Sequence, residues 1–398
     1  MRLEHLSLSN FRNYGRLELQ LPAEPLVNVF AGNNAQGKSN LLEAVYYLAT
    51  TKSLRASSER EVVNWAALNE PASFMRVSGK VQRSRGPVQI EVALRLDPQA
   101  ARADGAPSLA KRIRVNGVVR RAIDAVGQVN AILFGPEDVA LVTGTPQLRR
   151  RYFDVTISQL DSWYVRTLSH YNRVILQRNH LLRLIRERRT RPDQLPFWDD
   201  ELIRDATYLV EQRARIVREL NERVETTHRR LTGQNEHFGL EYRSSFELPL
   251  ELSAASLAAS LREQLQRIQP RELAQGVSLL GPHRDDYSFL VGGIDMNAFG
   301  SRGQQRTVAL ALKLAETELV RAHTGEQPIL LLDDVFSELD NRRREHVLAT
   351  IDPDQQVLFT TTDPAQLTPE FRAAARTFGI DTGTVFEMGW PKGPIETY

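Results

Sequence analysis

The chain has 398 residues, with 51 Lys+Arg against 49 Asp+Glu, a net charge of +2 and no cysteine. An apolar content of 41% excludes global disorder, and the absence of cysteine excludes a disulfide scaffold, Cys-ligated zinc and a thiol nucleophile. The length predicts two or three domains of roughly 100–200 residues each, and no apolar run reaches the ~18 residues of a membrane span. Met1-Arg2-Leu3-Glu4-His5 opens straight into alternation without a leader pattern, so a cytoplasmic protein with no membrane association is expected. Net charge says little about partners, but 45 of the 51 basic residues are Arg, whose planar fork grips phosphate with two hydrogen bonds.

In chain order, Leu3, Leu6 and Leu8 and then Leu17, Leu19 and Leu21 flank Phe11–Gly15 and predict a hairpin. Leu26–Phe30 is a short apolar strand, followed by a Gly-rich turn and a helix from Lys38 to about Thr50. Residues 75–96 and 111–121 read as strands, with Asn116-Gly117 a tight-turn signal. Between them, 97–110 is rich in Ala, Pro and Asp and predicts a mobile loop.

At Pro146 the texture turns helical and basic. Residues 146–231 hold 18 Arg against 12 Asp+Glu, a local net charge of +6, which leaves −4 for the remainder. Two long helices are predicted, 147–189 and 198–231. The second carries Val210, Val217, Val224 and Leu231 at sevenfold spacing, a short seam for packing within the lobe. A third helix is expected over 253–268, ended near Pro270. After Gly281-Pro282 the α/β texture returns, with strands at Ile329–Leu332 and Val357–Thr360. The expected fold is therefore an α/β body built from both chain ends (1–145 and 277–398), with an antiparallel β subdomain and an inserted helical lobe (146–276).

Gly32-Asn33-Asn34-Ala35-Gln36-Gly37-Lys38-Ser39 fits G-x-x-x-x-G-K-S and lies between a strand and a helix, the context that motif requires. Its glycines let backbone N–H groups curl towards phosphate oxygens, and the helix N-terminus adds positive potential. Lys38 then serves the β/γ-phosphates and Ser39 the Mg²⁺. Asn33, Asn34 and Asn40 complete the candidate ATP loop. Pro328–Asp334 is an apolar strand ending in two carboxylates: Asp333 for Mg²⁺, and Asp334 to orient or deprotonate the attacking water. Ser301-Arg302-Gly303-Gln304 opens a helix from Arg306 to about Val320 and offers a second anion nest. One nucleotide does not need two nests from one chain. Two make sense if the nest of one copy closes on the nucleotide of another.

This arrangement resembles ABC-type ATPases. The string Asn10–Tyr14, the phosphate loop, Phe134–Asp138, Arg149–Asp154, Gly281–Asp286, Ser301–Gln304 and Leu332–Asp340 resembles more closely the RecF family of bacterial recombination-mediator ATPases, relatives of the SMC-type ATPases. The resemblance implies binding of ATP with Mg²⁺, an ATP-dependent homodimer, and binding of double-stranded and gapped DNA. It further implies action with RecR and RecO in placing RecA, in gap repair, fork recovery and the SOS response. By matching position it assigns Asn33, Gly37, Lys38 and Ser39 to ATP and Mg²⁺, Asp333 and Asp334 to Mg²⁺ and hydrolysis, and Ser301, Gly303 and Gln304 to the partner's ATP; Gly32, which opens the loop, is counted with the ATP-binding residues. Two departures from the wider ABC pattern, Thr360–Asp363 where transporters place a His and Asp334 where they place a Glu, predict slow hydrolysis. The competing reading is the ATPase subunit of a membrane transporter, which the Arg-rich lobe opposes. A small-molecule kinase would not need the Ser301–Gln304 nest.

Further candidates stand outside these motifs. Arg12, in the turn beside the phosphate-loop strand, is a possible nucleotide contact. Arg149–Arg151 and Arg186, Arg188 and Arg189 are candidate DNA-phosphate contacts. The His283-Arg284-Asp285-Asp286 run reads as structural or nucleotide-sensing rather than metal-binding. No aromatic ladder for unpaired bases is visible, which favours duplex backbone contact.

Overall fold

The computed structural model describes residues 1–69, 73–101, 107–233, 236–338, 344, 347–349, 351–364 and 367–388. They fall into two compact units, one made of Met1–Asp138 and Glu316–Tyr398, the other of Val139–Ala315. The inserted unit thus runs from 139 to 315 rather than from 146 to 276, because it has a small sheet of its own in addition to its helices.

In the first unit, β1 (Arg2–Phe11) and β2 (Tyr14–Gln20) form the expected hairpin, with Leu6 opposite Leu19 and Leu8 opposite Leu17. With β4 (Phe74–Gln82), β5 (Val88–Ala101), β6 (Pro107–Val115) and β7 (Val118–Arg120) they make an antiparallel sheet in the order β2-β1-β4-β5-β6-β7. Asn116 and Gly117 turn with φ of 50° and 79°, the left-handed pair that a two-residue hairpin requires. The loop expected over 97–110 is instead mostly strand. Asp97 pairs with Ser108 and Ala101 with Pro107, so the β5–β6 ladder overrides a composition poor in strand formers. Residues 102–106 lie outside the described residues.

A second, mostly parallel sheet has the order β15-β14-β3-β13-β12-β8. Here β3 is Val27–Ala31, β8 Ala131–Phe134, β12 Ile329–Asp333, β13 Val357–Thr361, β14 Ala375–Asp381 and β15 Thr384–Glu387. β12 and β13 are buried at every position, as strands covered on both faces must be. Helix α1 (Lys38–Thr50) is buried along nearly its whole length and touches strands of both sheets, namely β1, β4 and β5 of the one and β8, β12 and β13 of the other. This follows from its sequence, which is apolar around most of its circumference. Register brings Ala31 beside Thr361 and Asp333 beside Thr360, so the ends of β3, β13 and β12 share one edge. A short helix α2 (Ala122–Ala125) precedes β8.

The inserted unit begins with α3 (Val139–Thr143). The single helix expected over 147–189 is two, α4 (Pro146–Leu160) and α5 (Ser162–Arg186). Asp161 breaks it, because its carboxylate accepts from the N–H groups of Trp163 and Tyr164 as an N-cap. The sevenfold stripe lies on α6 (Leu195–Thr232) and is buried, packed within the unit against α5, α7 (Ala254–Gln275) and β9 (Phe238–Arg243). α7 does not stop at Pro270 but continues one and a half turns further. Glu272 at 0% exposure and Leu273 are anchored by their neighbours, and that packing outweighs the missing N–H. β9 pairs with β10 (Asp286–Val291) and β10 with β11 (Ile294–Asp295); α8 (Met296–Phe299) leads into α9 (Arg302–Thr324), which crosses from the second unit into the first. No helix among the described residues is long and apolar enough to cross a membrane.

Candidate functional site

The turn after β3 is shaped by two left-handed residues, Ala35 at φ 65° and Gly37 at φ 115°. A side chain at Gly37 would be strained by that φ, and its Cβ would also stand 2.6 Å from the Asn13 amide. Asn13 holds the loop from outside, donating to the Gln36 carbonyl at 3.0 Å and accepting from Asn40 at 2.8 Å. The buried Tyr14 hydroxyl donates to the Gly37 carbonyl at 3.0 Å. Gln36 in turn accepts from the Thr382 and Gly383 N–H groups in the β14–β15 turn.

Inside the curl, the Lys38 ammonium donates to the carbonyls of Gly32 and Asn33 at 2.7 and 2.8 Å. Burial pulls its pKa below the ordinary lysine value, while Asp334 and Asp333 act in the opposite direction. The Ser39 hydroxyl donates to Asp333 Oδ1 at 2.9 Å, and that oxygen also accepts from Thr360 at 2.7 Å. Asp334 adopts φ 49°, and its N–H donates to both the carbonyl and the hydroxyl of Thr360. Asn34, Lys38, Ser39, Asn40, Asp333 and Asp334 all line one pocket, so the loop and the strand-end carboxylates face each other as their sequence motifs predict. Gly32 and Asn33 contribute their carbonyls to Lys38 rather than pocket lining.

Arg12 does not line this pocket. Its guanidinium forks onto Glu43 at 2.9 and 2.7 Å and donates to the Glu61 carbonyl at 2.8 Å, beside the phosphate loop. Sequence reasoning missed Arg55, which does line it and donates to Asp333 Oδ2 at 2.7 Å and to Glu137 at 2.9 Å. Burial opposes the charge of Arg55, but the bonds to Asp333 and Glu137 outweigh it and hold its pKa above the usual arginine value. Arg55 belongs to no motif and only its contacts single it out. Thr360 was noted as the residue standing where a His was expected, and its hydroxyl instead fixes both carboxylate residues.

In the second unit, Ser301 and Gln304 cap α9 reciprocally. The Ser301 N–H donates to Gln304 Oε1 at 2.9 Å, and the Gln304 N–H donates to Ser301 Oγ at 3.3 Å. Ser301, Arg302, Gly303 and Gln304 are all exposed, and a Cβ at Gly303 would meet nothing within 4 Å. Within the Gly281–Asp286 run, Gly281, Pro282 and Asp285 are buried, His283 and Asp286 are half-buried and Arg284 is exposed. Arg213 donates to the Pro282 carbonyl at 2.6 Å, Asp154 at 2.8 Å and Asp285 at 3.2 Å. Tyr171 O–H donates to His283 Nδ1 at 2.6 Å, and burial pushes the imidazole pKa down to about 4. His283 is thus a neutral acceptor, and no cluster of metal-ligating side chains exists among the described residues. Arg149 is likewise spent internally, forked onto Asp286 at 2.7 and 2.9 Å and 4% exposed, which removes it from the DNA candidates. Arg186 donates to the Gln275 carbonyl at 2.9 Å, and Arg189 lies 3.5 Å from Glu187 on the surface.

A phosphate-loop motif and a strand-end carboxylate pair on a mostly parallel sheet, with a capped helix start at Ser301–Gln304 in the other unit, are the parts of an ABC/SMC-type ATPase fold. A family model described as "RecF/RecN/SMC N terminal domain" matches residues 2–382. The chain is 46% identical to the DNA replication and repair protein RecF of Chloroflexus aurantiacus over 97% of this chain and 100% of the relative. It is 36% identical to that of Halalkalibacterium halodurans over 98% and 100%. The chain belongs to the RecF family of DNA replication and repair proteins. Among solved structures it is similar to the recombination mediator protein RecF-ATP in the RecFOR pathway, with a TM-score of 0.85, 30% identity and 97% of each chain covered. It shares the fold of an Smc head bound to the C-winged helix domain of ScpA, at TM-score 0.53 and 15% identity.

Proposed function

We propose that this chain is an ATP-controlled DNA clamp of recombinational repair: it binds ATP with Mg²⁺, dimerises on it, holds duplex next to a gap, and works in the cytoplasm with RecR and RecO to place RecA. The observation that carries the nucleotide reading is the Ser39 Oγ–Asp333 Oδ1 contact of 2.9 Å, which joins the phosphate loop to the end of β12. Those hard oxygen donors fit Mg²⁺, which when bound supplies charge neutralisation for the phosphates. Lys38 sits within its own loop and exchanges two carbonyls for phosphate oxygens. Asp334, fixed through its N–H by Thr360, accepts the proton of the attacking water. Its short carboxylate supports a switch with a slow timer, and a turnover below about 1 s⁻¹ without DNA is expected.

Dimerisation is supported by the exposed nest at Ser301, Gly303 and Gln304, whose N-terminal helix dipole suits a partner's phosphates. DNA binding is supported by the basic excess of residues 146–231, carried by arginines other than the buried Arg149, Arg178 and Arg213. The full-length likeness is to DNA replication and repair proteins rather than to transporter subunits. Sedimentation with ATP and with ADP, for the parent and for Ser301→Arg, tests the clamp. An ATP-dependent dimer is expected, lost in Ser301→Arg while nucleotide still binds. A parent that stays single with saturating ATP, Mg²⁺ and duplex DNA overturns it.

A further inference from the structure

Asp333 is fully engaged. Its Oδ1 accepts from Ser39 and Thr360, and its Oδ2 accepts from Arg55 at 2.7 Å. At 3% exposure this carboxylate needs a cation beside it, since a buried charge without a partner is strongly unfavourable. The Arg55 side chain is 23% exposed, and its second acceptor, Glu137, is 64% exposed. The Arg178–Glu272 pair of the other unit makes the contrast: there both side chains are sealed, at 1% and 0%. The Arg55–Asp333 pair is buried at its acidic end and open at its basic end, and that open end faces the phosphate-loop pocket.

The segment that presents Arg55 is also built rather than loose. The Arg55 and Ala56 N–H groups donate to Ser53 Oγ at 3.0 and 2.8 Å, Ser53 is hydrogen-bonded to Glu43, and Glu43 is gripped by Arg12. Arg12 thereby positions Arg55 through two intermediates.

We propose that Arg55 is the resident counter-ion of Asp333: a divalent cation arriving at Ser39 and Asp333 takes the carboxylate from Arg55, whose guanidinium then rests on Glu137 at the rim of the pocket. The exchange keeps Asp333 neutralised throughout, so the metal displaces a charge instead of filling an uncompensated acidic hole. It also sets a threshold, because metal alone must displace the charge-assisted Arg55–Asp333 hydrogen bond, whereas metal carried in by a polyphosphate has the phosphate contacts to offset that loss. This rests on the ATP and Mg²⁺ reading above.

The test is Mn²⁺ binding to the full chain without nucleotide, followed by electron paramagnetic resonance. Arg55→Gln should bind Mn²⁺ about tenfold tighter than the parent, the loss of one charge-assisted hydrogen bond. Arg55→Lys, which keeps the charge but not the fork, should fall between them, and it serves alone if the Gln variant melts early. Binding in either variant no tighter than in the parent overturns the exchange. Asp333→Asn separates this from the underlying reading. If Mn²⁺ still binds at the parent's affinity, Asp333 is not the metal's holder and the reading itself falls; if binding is lost, only the role of Arg55 is in question.

Discussion

Two aspartates, each held by an arginine, behave differently because of where they stand. Asp285 sits at 0% exposure against Arg213 at 2%, and it also accepts from Tyr242 and the Ser245 N–H. Asp333 sits at the end of a strand, against an arginine that reaches solvent. The first arrangement is a lock: every charge is satisfied inside the second unit, and Arg213 also draws in Asp154 and Tyr164. The second is a socket, whose acidic half is fixed by the sheet while its basic half can leave. An Arg–Asp pair therefore says little by itself; the exposure of the arginine decides whether it serves folding or exchange.

Removing the lock's cation should cost most. Arg213→Ala leaves Asp154 and Asp285 without their shared partner, and a loss of about 3–5 kcal/mol is expected by thermal or denaturant unfolding. A loss under about 1 kcal/mol would mean that the lock is solvated like the socket. The next effect comes from His283 in the same cluster. Its pKa is about 4 when folded, below the ordinary value of 6.5, so the unfolded chain binds the extra proton between those values. The stability it contributes is present above pH 6.5 and is lost as pH falls towards 4, on the order of 3 kcal/mol in all. Unfolding curves from pH 7 to 4.5 should be flatter for His283→Gln. The smallest effect on stability belongs to the socket. Lys38→Ala should shift unfolding by less than about 1 kcal/mol, yet weaken ATP binding by about a hundredfold in a direct titration, since two charge-assisted contacts are lost.

The socket's skeleton was legible because its parts are local. The loop over Gly32–Ser39 and the strand over Pro328–Asp334 each carry their geometry within a few residues. Arg55 was not, since nothing in Ser53-Leu54-Arg55-Ala56 reports a carboxylate hundreds of positions away in sequence. The partner of Arg12 was hidden for the related reason that its place beside the phosphate loop in the chain says nothing of Glu43 on α1, which it grips. The lock's residues drew notice as a dense charged run and read as structural or nucleotide-sensing rather than metal-binding, but nothing in the run reports Arg213, which lies 72 residues before Asp285 and closes the knot. Helix bounds failed where a side chain overruled propensity: Asp161 ended one helix early, and buried Glu272 carried another past a proline.

The strand order β15-β14-β3-β13-β12-β8 has a consequence for biosynthesis. Both neighbours of β3 are made from residues after 356, so the strand that launches the phosphate loop leaves the ribosome without either of its pairing edges. At about 5–20 residues per second, it waits on the order of tens of seconds for them. The hairpin-rich sheet of β1, β2 and β4–β7 and the whole 139–315 unit are complete before then. The nascent chain thus passes through a stage with a finished insert and an unfinished nucleotide pocket, in which an unpaired apolar strand invites capture by a chaperone.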